Sequence, residues 1–150
     1  MDFCTISDDF FDLCTFDNEL LYNKSSKRPY LVILKLKYIG NEHEFAIPFR
    51  SNIPSHIKKE QYFSLPPRST TKSGYIHGLH YIKMFPVKSI YLKQFFNNDA
   101  NHKIVKKIII GKRELIKKDA QNYLAMYESG VRVPYSTDIE RIYTVLNPSL

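Results

Sequence analysis

The sequence is short of the features that mark membrane, secreted and metal-binding proteins. It has no apolar run long enough to span a bilayer, and its first residues, where Asp2 follows Met1, form no signal-peptide pattern. Its two cysteines, Cys4 and Cys14, are too few for a disulfide framework and lack metal-ligand spacing. We therefore expect a protein of the reducing cytoplasm, without a membrane partner, in which both cysteines are small buried hydrophobic residues.

Common catalytic patterns are also missing. The five glycines form no phosphate-binding loop, and no G-x-S-x-G motif precedes a helix. The five histidines have no metal-ligand pattern, and the spacing of the closest pair, His77 and His80, is weak evidence for zinc. Acidic residues avoid the centre of the chain, which leaves no obvious carboxylate set for two-metal nuclease chemistry. We expect neither a metal nor another cofactor.

Charge is distributed unevenly along the chain. Residues 1–23 contain six acidic side chains and no basic one, whereas residues 24–150 contain 22 basic side chains against nine acidic, a net charge of +13. A basic body with a sequence pI near 9.3 favours a polyanionic partner such as nucleic acid. The alternative is that the lysine-rich composition reflects solubility or codon usage, and charge alone favours nucleic acid only slightly.

The 150 residues predict a single domain, organised around a β-hairpin at residues 28–56. Between residues 30 and 38, apolar residues alternate with lysines, which is the period-2 pattern of a half-buried strand. The apolar members are Val32, Leu34 and Leu36, and the outward-facing members are Lys35 and Lys37. Gly40-Asn41 then predicts the turn.

The return strand of this hairpin is predicted at residues 44–49. Phe45, Ile47 and Phe49 share one of its faces, and Pro48 predicts a sheet edge or a strand end because it cannot donate to a ladder. A polar loop, Arg50-Ser51-Asn52, is expected to follow. A rigid strand that delivers a cation, a hydroxyl and an amide is a plausible site for binding or cutting an anion.

In the rest of the chain, strands are predicted before helices. A helix is expected over residues 9–16, capped by Ser7 or Asp8, and short strands at residues 3–5, 62–65, 78–85 and 89–92, with a surface loop at 68–74. Helical spacing over residues 99–128 predicts a helical stretch that breaks near Gly111 and ends at Gly130. Residues 137–140 match a capping box before a short C-terminal helix. The pattern predicts an α+β fold with an antiparallel sheet.

The residue types around the hairpin suit metal-independent cleavage of RNA. In that reaction the 2′-hydroxyl attacks its own phosphate, which requires in-line positioning, proton transfer and cations for the extra negative charge. Arginine, lysine, serine, asparagine, histidine and tyrosine can supply these functions, and aromatic rings can stack on unpaired bases. Composition permits this reaction but does not select it.

Several segments carry a family resemblance. They are F-x-T-I-S at residues 3–7, Phe16-Asp17, the strand at 30–36, A-I-P-F-R-S at 46–51, and Gly78-Leu79 with Lys83 ahead of Pro86. In this order they resemble, loosely, the ToxN/AbiQ-like toxins of type III toxin–antitoxin systems. The similarity covers most of residues 1–95 and weakens beyond them. The R-S-N-I segment and the H-G-L-x-Y-x-K segment are closer to the CptN and TenpN branches.

The resemblance implies an endoribonuclease with a twisted antiparallel sheet flanked by helices, distantly similar to the Kid/MazF toxins. Such toxins cut single-stranded, often adenosine-rich cellular or phage RNA without a metal and leave a 2′,3′-cyclic phosphate. A small pseudoknotted antitoxin RNA, which the toxin processes from a repeated precursor, holds them inactive in a closed RNA–protein complex that serves phage defence. The alternative is a non-catalytic RNA-binding or assembly protein that uses the same basic groove.

The resemblance also implies where the site lies. The family loop Thr-Ser-x-Lys aligns with residues 50–53, so Ser51 matches, whereas Arg50 replaces the threonine and Ile53 replaces the lysine. Lys58 or His56 would then take over the cationic role. Arg28 aligns with a family lysine ahead of the first hairpin strand, and Tyr22 is the nearest tyrosine to one that the family has upstream. The predicted catalytic residues are Arg28, Arg50, Ser51, Asn52, Lys58 and His80.

Each predicted role has a structural alternative. Ser51 is expected to hold the scissile phosphate or the attacking 2′-oxygen, or else to be a turn hydroxyl; Arg50 is expected to clamp phosphate. Asn52 either binds a base edge or caps the next turn. Lys58 is a site cation or a solvated lysine. His80 is the better histidine for general acid or base because an unperturbed imidazole titrates near neutrality, and its alternative is a satisfied sheet histidine.

A second set of residues is expected to bind RNA outside the reacting centre. Lys83 is expected to contact phosphate, although a surface lysine on a strand has the same sequence signature. The predicted RNA-binding residues are Tyr22, Lys24, Lys27, Tyr30, His56, Lys59, His77 and Lys83.

Overall fold

A computed structural model describes residues 1–20, 31–94 and 99–148, which form seven β-strands and four α-helices. The strands are β1 (Asp2–Ile6), β2 (Leu31–Tyr38), β3 (Asn41–Pro54), β4 (Tyr62–Leu65), β5 (Tyr75–His80), β6 (Phe85–Pro86) and β7 (Leu92–Gln94). The helices are α1 (Asp8–Leu13), α2 (Ala100–Gly111), α3 (Arg113–Glu128) and α4 (Ile139–Leu146). Within these ranges, three short 3-10 helices, Lys59–Gln61, Tyr81–Lys83 and Ser89–Tyr91, lie between strands.

The strands form one antiparallel sheet in the order β4-β5-β3-β2-β1-β7, and β6 pairs with β3 beside this path. This confirms the predicted α+β fold. The central hairpin pairs Tyr38 with Asn41, so its turn is Ile39-Gly40, one residue earlier than predicted. Both turn residues have positive φ, 51° and 79°, as a two-residue hairpin turn that matches the strand twist requires.

Helices cover both faces of the sheet. This explains why apolar and polar residues alternate in only the second half of β2. On one face Val32, Leu34 and Leu36 join a core with buried residues of α2 and α3. On the other face Leu31 and Ile33 join a second core with α1 and α4. The second half of β2 is half-buried as predicted, with Lys35 and Lys37 exposed, but the first half is buried on both faces.

Strand β3 extends through residues for which the sequence predicts a polar loop. Its partner β5 pairs Gly78 with Arg50 and Ile76 with Ile53. Between these pairs, Ser51 and Asn52 lie opposite the single residue His77, which is the arrangement of a β-bulge. The predicted loop is therefore a bulge inside a long strand.

The edge or strand-end position predicted for Pro48 is wrong, because Pro48 lies in the middle of β3 and β3 is in the interior of the sheet. Pro48 pairs with Leu31 of β2 on one side. On its other side, the partner of β3 changes from β6, at Phe45 and Ala46, to β5, at Phe49 and Arg50. The missing N–H of proline is tolerated where the sheet changes partner.

The strand predicted at 78–85 is interrupted. It ends at His80, and Tyr81–Lys83 form a 3-10 helix whose three side chains are buried. The chain then returns as β6 beside a different part of β3. The strand predicted at 89–92 is likewise a 3-10 helix that leads into β7.

Ser7 is the N-cap of helix α1, as predicted, but the helix begins at Asp8 rather than Asp9 and ends at Leu13 rather than at residue 16. The amides of Cys14 and Asp17 donate to carbonyls three residues back, so tight turns replace a further α-helical turn. Cys4 and Cys14 are free and buried, which confirms their predicted role as core residues.

The helical stretch breaks at Gly111 as predicted, and Gly130, with φ of 102°, follows the end of α3. The C-terminal helix α4 is also confirmed, but its predicted capping box is wrong. Asp138 caps it by accepting from the Arg141 amide at 3.1 Å, whereas the Thr137 hydroxyl is buried and donates to the Met84 carbonyl. No helix within the described residues is both long and apolar enough to cross a membrane.

Candidate functional site

A cleft of about 600 Å³ opens where β3, the end of β5 and the segment between α3 and α4 meet. Five of the predicted site residues line it: Arg50, His56, Lys58, His80 and Lys83. Glu19 is the one carboxylate among its described lining residues. Three cations and one anion give this cleft a formal charge of +2 when both histidines are neutral. It is therefore suited to an anionic ligand.

Arg50 and His80 form a defined pair in the lining of the cleft. They lie on the same face of neighbouring strands, and a guanidinium nitrogen of Arg50 lies 3.2 Å from His80 Nδ1. Because a guanidinium group can only donate, Nδ1 must accept, and the imidazole proton is then on Nε2. His80 Nε2 is buried without a hydrogen-bond partner among the described residues. His80 therefore holds Arg50 in place as a neutral acceptor.

The environment of His80 opposes its protonation. The side chain is 1% exposed, and burial, followed by the nearby charges of Arg50 and Lys83, lowers the pKa of His80 to about 3. The pKa near neutrality that the sequence argument assumed for this residue does not hold in the folded protein. Burial also lowers the pKa of Arg50, and the Glu19 carboxylate opposes that shift.

This burial makes stability depend on pH. The folded pKa of His80, about 3, lies below its unfolded value of 6.5, so between these values the unfolded chain binds more protons. Stability from this group is present above pH 6.5 and is lost as pH falls through that window, by about 2 kcal/mol at pH 5 relative to pH 8. A His80→Gln variant should lose this part of the slope in urea denaturation measured from pH 8 to pH 5.

The two proteins can also be compared at pH 8 and above, where His80 is neutral in both the folded and the unfolded state, and there their slopes should agree. Equal slopes between pH 6.5 and pH 5 would contradict the buried neutral state of His80.

Lys83 is a buried cation with two hydrogen-bond acceptors. Its Nζ donates to Glu19 Oε2 at 2.5 Å and to the Tyr135 carbonyl at 2.6 Å. The Lys83 side chain is 6% exposed and that of Glu19 is 36% exposed. The carboxylate therefore neutralises Lys83 locally, and Arg50 and Lys58 carry the net positive charge of the cleft.

Ser51 and Asn52, the two residues of the bulge, do not line this cleft. Thr70 Oγ1 lies 3.1 Å from Ser51 Oγ, and Asn52 accepts from the Lys72 amide at 2.7 Å while donating to the Thr70 carbonyl at 3.2 Å. Asn52 thus fixes the loop at residues 68–74 onto β3. The structure places these two residues beside the cleft rather than among the residues that line it.

The other predicted site residues are separated from the cleft or lie outside the described residues. His77 donates from Nδ1 to the Pro66 carbonyl at 2.8 Å and stacks on Phe49, and burial lowers its pKa. Lys59 is exposed at the start of a 3-10 helix and does not line the cleft. The predicted residues outside the described ranges are Tyr22, Lys24, Lys27, Arg28 and Tyr30.

Among the lining residues that sequence reasoning missed, Glu19 and Tyr135 are the two that bind Lys83. Glu19 comes from the acidic N-terminal region, but no sequence signal pairs it with a lysine 64 positions away. Tyr135 follows Pro134 between two helices, which marks a turn but not its position beside Lys83.

Comparison with known proteins identifies the fold. No family profile and no curated protein matches the sequence. A solved structure from a bacterial antiviral system that a processed non-coding RNA regulates has a TM-score of 0.71 at 14% identity, over 95% of each chain. AbiQ, a lactococcal anti-phage endoribonuclease of the type III toxin–antitoxin system, has a TM-score of 0.68 at 20% identity, over 95% of this chain and 93% of AbiQ. The chain has the AbiQ-type fold.

The AbiQ-type fold extends to a third structure, from a bacterial type III toxin–antitoxin system with selective toxin inhibition by a non-coding RNA pseudoknot. Its TM-score is 0.50 at 21% identity, over 95% of this chain and 88% of that chain. The family resemblance seen in the sequence is confirmed at the level of the fold, and it covers the helices beyond residue 95 as well. The CptN or TenpN branch stays a prediction.

Proposed function

We propose that this protein is an endoribonuclease toxin of a type III toxin–antitoxin system that cuts single-stranded, adenosine-rich RNA without a metal. The observation that carries the proposal is the cleft that Arg50, Lys58 and Lys83 line together with an exposed His56, on an AbiQ-type fold. The reaction is attack of a 2′-hydroxyl on the adjacent phosphate, which leaves a 2′,3′-cyclic phosphate and a free 5′-hydroxyl.

The cations of the cleft supply what this transition state needs. Negative charge accumulates on the phosphoryl oxygens during attack, and fixed donors that face those oxygens lower the barrier. Arg50 is best placed for this role, because His80 orients it from behind and its planar fork can donate two parallel hydrogen bonds. Lys58 adds an exposed cation to the lining of the cleft.

Proton transfer falls to His56 in this proposal. Two histidines line the cleft, but His80 is buried and neutral, whereas His56 is exposed to it. An exposed imidazole can accept the proton of the 2′-hydroxyl or protonate the leaving 5′-oxygen. Ser51 keeps the role that the resemblance implies, since a hydroxyl that shares one hydrogen bond with Thr70 can still donate to a phosphate oxygen. Arg28 and Asn52 stay in the proposed catalytic set, Asn52 through the loop at residues 68–74, which it fixes beside Ser51.

The proposed partner is a small pseudoknotted antitoxin RNA, which the toxin processes and which inhibits it in a closed RNA–protein complex. Support comes from the solved structures that share the fold, one from a system regulated by a processed non-coding RNA and one with inhibition by an RNA pseudoknot. Residues 24–150 carry a net charge of +13, which favours binding of such a polyanion.

The purified protein should cut an unstructured adenosine-rich RNA in the presence of EDTA, and mass spectrometry of the fragments should show 2′,3′-cyclic phosphate ends. A matched oligonucleotide with 2′-deoxyribose throughout should stay intact, because it lacks the attacking hydroxyl. Absence of cutting, or cutting that EDTA abolishes, contradicts the metal-free reaction. RNA that is bound but never cut supports the non-catalytic alternative.

A further inference from the structure

Tyr135 is a large aromatic residue that the fold leaves outside its core. It is 76% exposed, although it lines the same cleft as Arg50, Lys58 and Lys83. Within the described part of the chain, its ring makes no aromatic or cation–π contact. Packing therefore does not explain why an aromatic side chain occupies this position.

Tyr135 also has a backbone conformation that is unusual for a tyrosine. The Ser136 amide donates to the Val133 carbonyl at 3.2 Å, which closes a four-residue turn with Pro134 second and Tyr135 third. Tyr135 has φ of 65°, a conformation that a type II turn requires at its third position and that normally selects glycine or asparagine. A tyrosine is strained there, and such strain is characteristic of residues held for function.

The turn is also anchored at the carbonyl of Tyr135 and two residues after it. Lys83 Nζ donates to the Tyr135 carbonyl at 2.6 Å, and the Thr137 amide donates to the Ile82 carbonyl at 3.0 Å. Lys83 is itself held by Glu19. Tyr135 is thus held in the lining of a cationic cleft by a turn that is hydrogen-bonded to residues 82 and 83.

We propose that Tyr135 is a stacking platform for one base of the single-stranded RNA whose neighbouring phosphate Arg50 binds. This inference rests on the proposed function, and it adds the residue that holds a nucleobase. Every base has a π face, so stacking secures an unpaired strand without selecting a particular base, whereas a base-paired strand keeps its faces buried. Tyr135 is a binding residue here and takes no part in proton transfer.

The test uses adenosine-rich hexanucleotides with 2′-fluoro groups at every position, which cannot undergo self-attack and report binding alone. One adenine at a time is replaced by 2-aminopurine or by an abasic residue. Wild type should quench 2-aminopurine most strongly at one position, and Tyr135→Ala should remove that quenching and weaken binding roughly 10- to 100-fold. An abasic residue at that position should bind wild type and Tyr135→Ala equally.

Matched variants separate stacking from folding. Tyr135→Phe should retain binding and quenching, whereas Tyr135→Leu should behave as the alanine variant because it lacks a ring. Tyr135→Gly relieves the backbone strain, so it should lose binding without losing stability. Tyr75→Ala removes a tyrosine that is 46% exposed and does not line the cleft, and it should bind as wild type does.

The inference is overturned if wild type binds none of these oligonucleotides, or if Tyr135→Ala weakens binding to the same extent at every abasic position. It is separable from the proposed function. Position-specific quenching by a protein that cuts no RNA in EDTA upholds the platform and removes the nuclease. If instead the protein cuts RNA but the effect of Tyr135→Ala does not depend on any one base position, the nuclease is upheld and the platform is overturned.

Discussion

Replacing Arg50 with alanine is expected to reduce the rate of RNA cleavage roughly 10²- to 10³-fold, the loss that follows removal of one fixed donor from a charge-stabilising site. Arg50 and Lys58 carry the net charge of the cleft, because Lys83 is neutralised by Glu19 at 2.5 Å. The measurement is the single-turnover cleavage rate at saturating protein in EDTA, which separates chemistry from RNA affinity. Loss of growth inhibition in cells should accompany it.

Arg50→Lys should recover little of this activity. The guanidinium donates to His80 Nδ1 with one nitrogen and can face a phosphate with the others, whereas an ammonium at the end of a flexible chain cannot hold both geometries. A lysine at this position therefore keeps the charge and loses the orientation. A lysine variant with the wild-type rate would show that charge alone is required.

The matched control is Arg113→Ala, which removes the same side chain from an exposed position at the start of α3, outside the cleft. Both variants lower the net charge by one, so any general electrostatic effect on RNA binding should be shared. An equal reduction in the two single-turnover rates would contradict the assignment of Arg50 to the reacting centre.

The sequence predicted those parts of the fold that depend on local pattern. The period-2 alternation of Val32, Leu34 and Leu36 correctly identified the face of β2 that meets α2 and α3. The helical stretch and its break near Gly111 were predicted for the same reason, since the spacing of apolar residues records which side of an element is buried.

Features that depend on distant contacts were not predictable. The bulge at Ser51 and Asn52 arises from pairing with His77, 25 or more positions away, and a polar tripeptide after a strand has the same sequence in a loop. The lowered pKa of His80 depends on burial beneath segments that the local sequence does not specify. The unperturbed pKa of a side chain does not predict its pKa in the folded protein where burial removes the side chain from water.

The sequence predicted the residue types of the candidate site, but not all of the residues that line it. Arg50, His56 and Lys58 follow one another on β3 and its continuation, so their proximity was visible in the sequence. Glu19 and Tyr135 join them through Lys83, whose Nζ links two segments that are more than 100 residues apart in the chain. Such a link reflects topology, and only the fold reveals it.

Gly78→Ala is expected to destabilise the protein by about 3 kcal/mol, near the upper range for a single methyl group that has no room. A Cβ on Gly78 would lie 2.2 Å from the Phe63 carbonyl oxygen and 3.4 Å from the Ser64 Cα, so the backbone of β4 must move. Backbone in a paired ladder cannot yield as the end of a flexible side chain can. Urea denaturation at pH 7.5 should show a lower midpoint with an unchanged slope.

Gly111→Ala is the matched control, since a Cβ there meets nothing within 4 Å and the residue ends helix α2. It should be neutral or stabilising by up to about 1 kcal/mol. Gly78 also pairs with Arg50 across the sheet, two residues before His80, so the alanine variant should lose cleavage activity along with stability. Equal urea midpoints for the two alanine variants would show that β4 can move away from β5 at no cost in stability. The Arg50–His80 pair would then not depend on the close approach of β4 to β5.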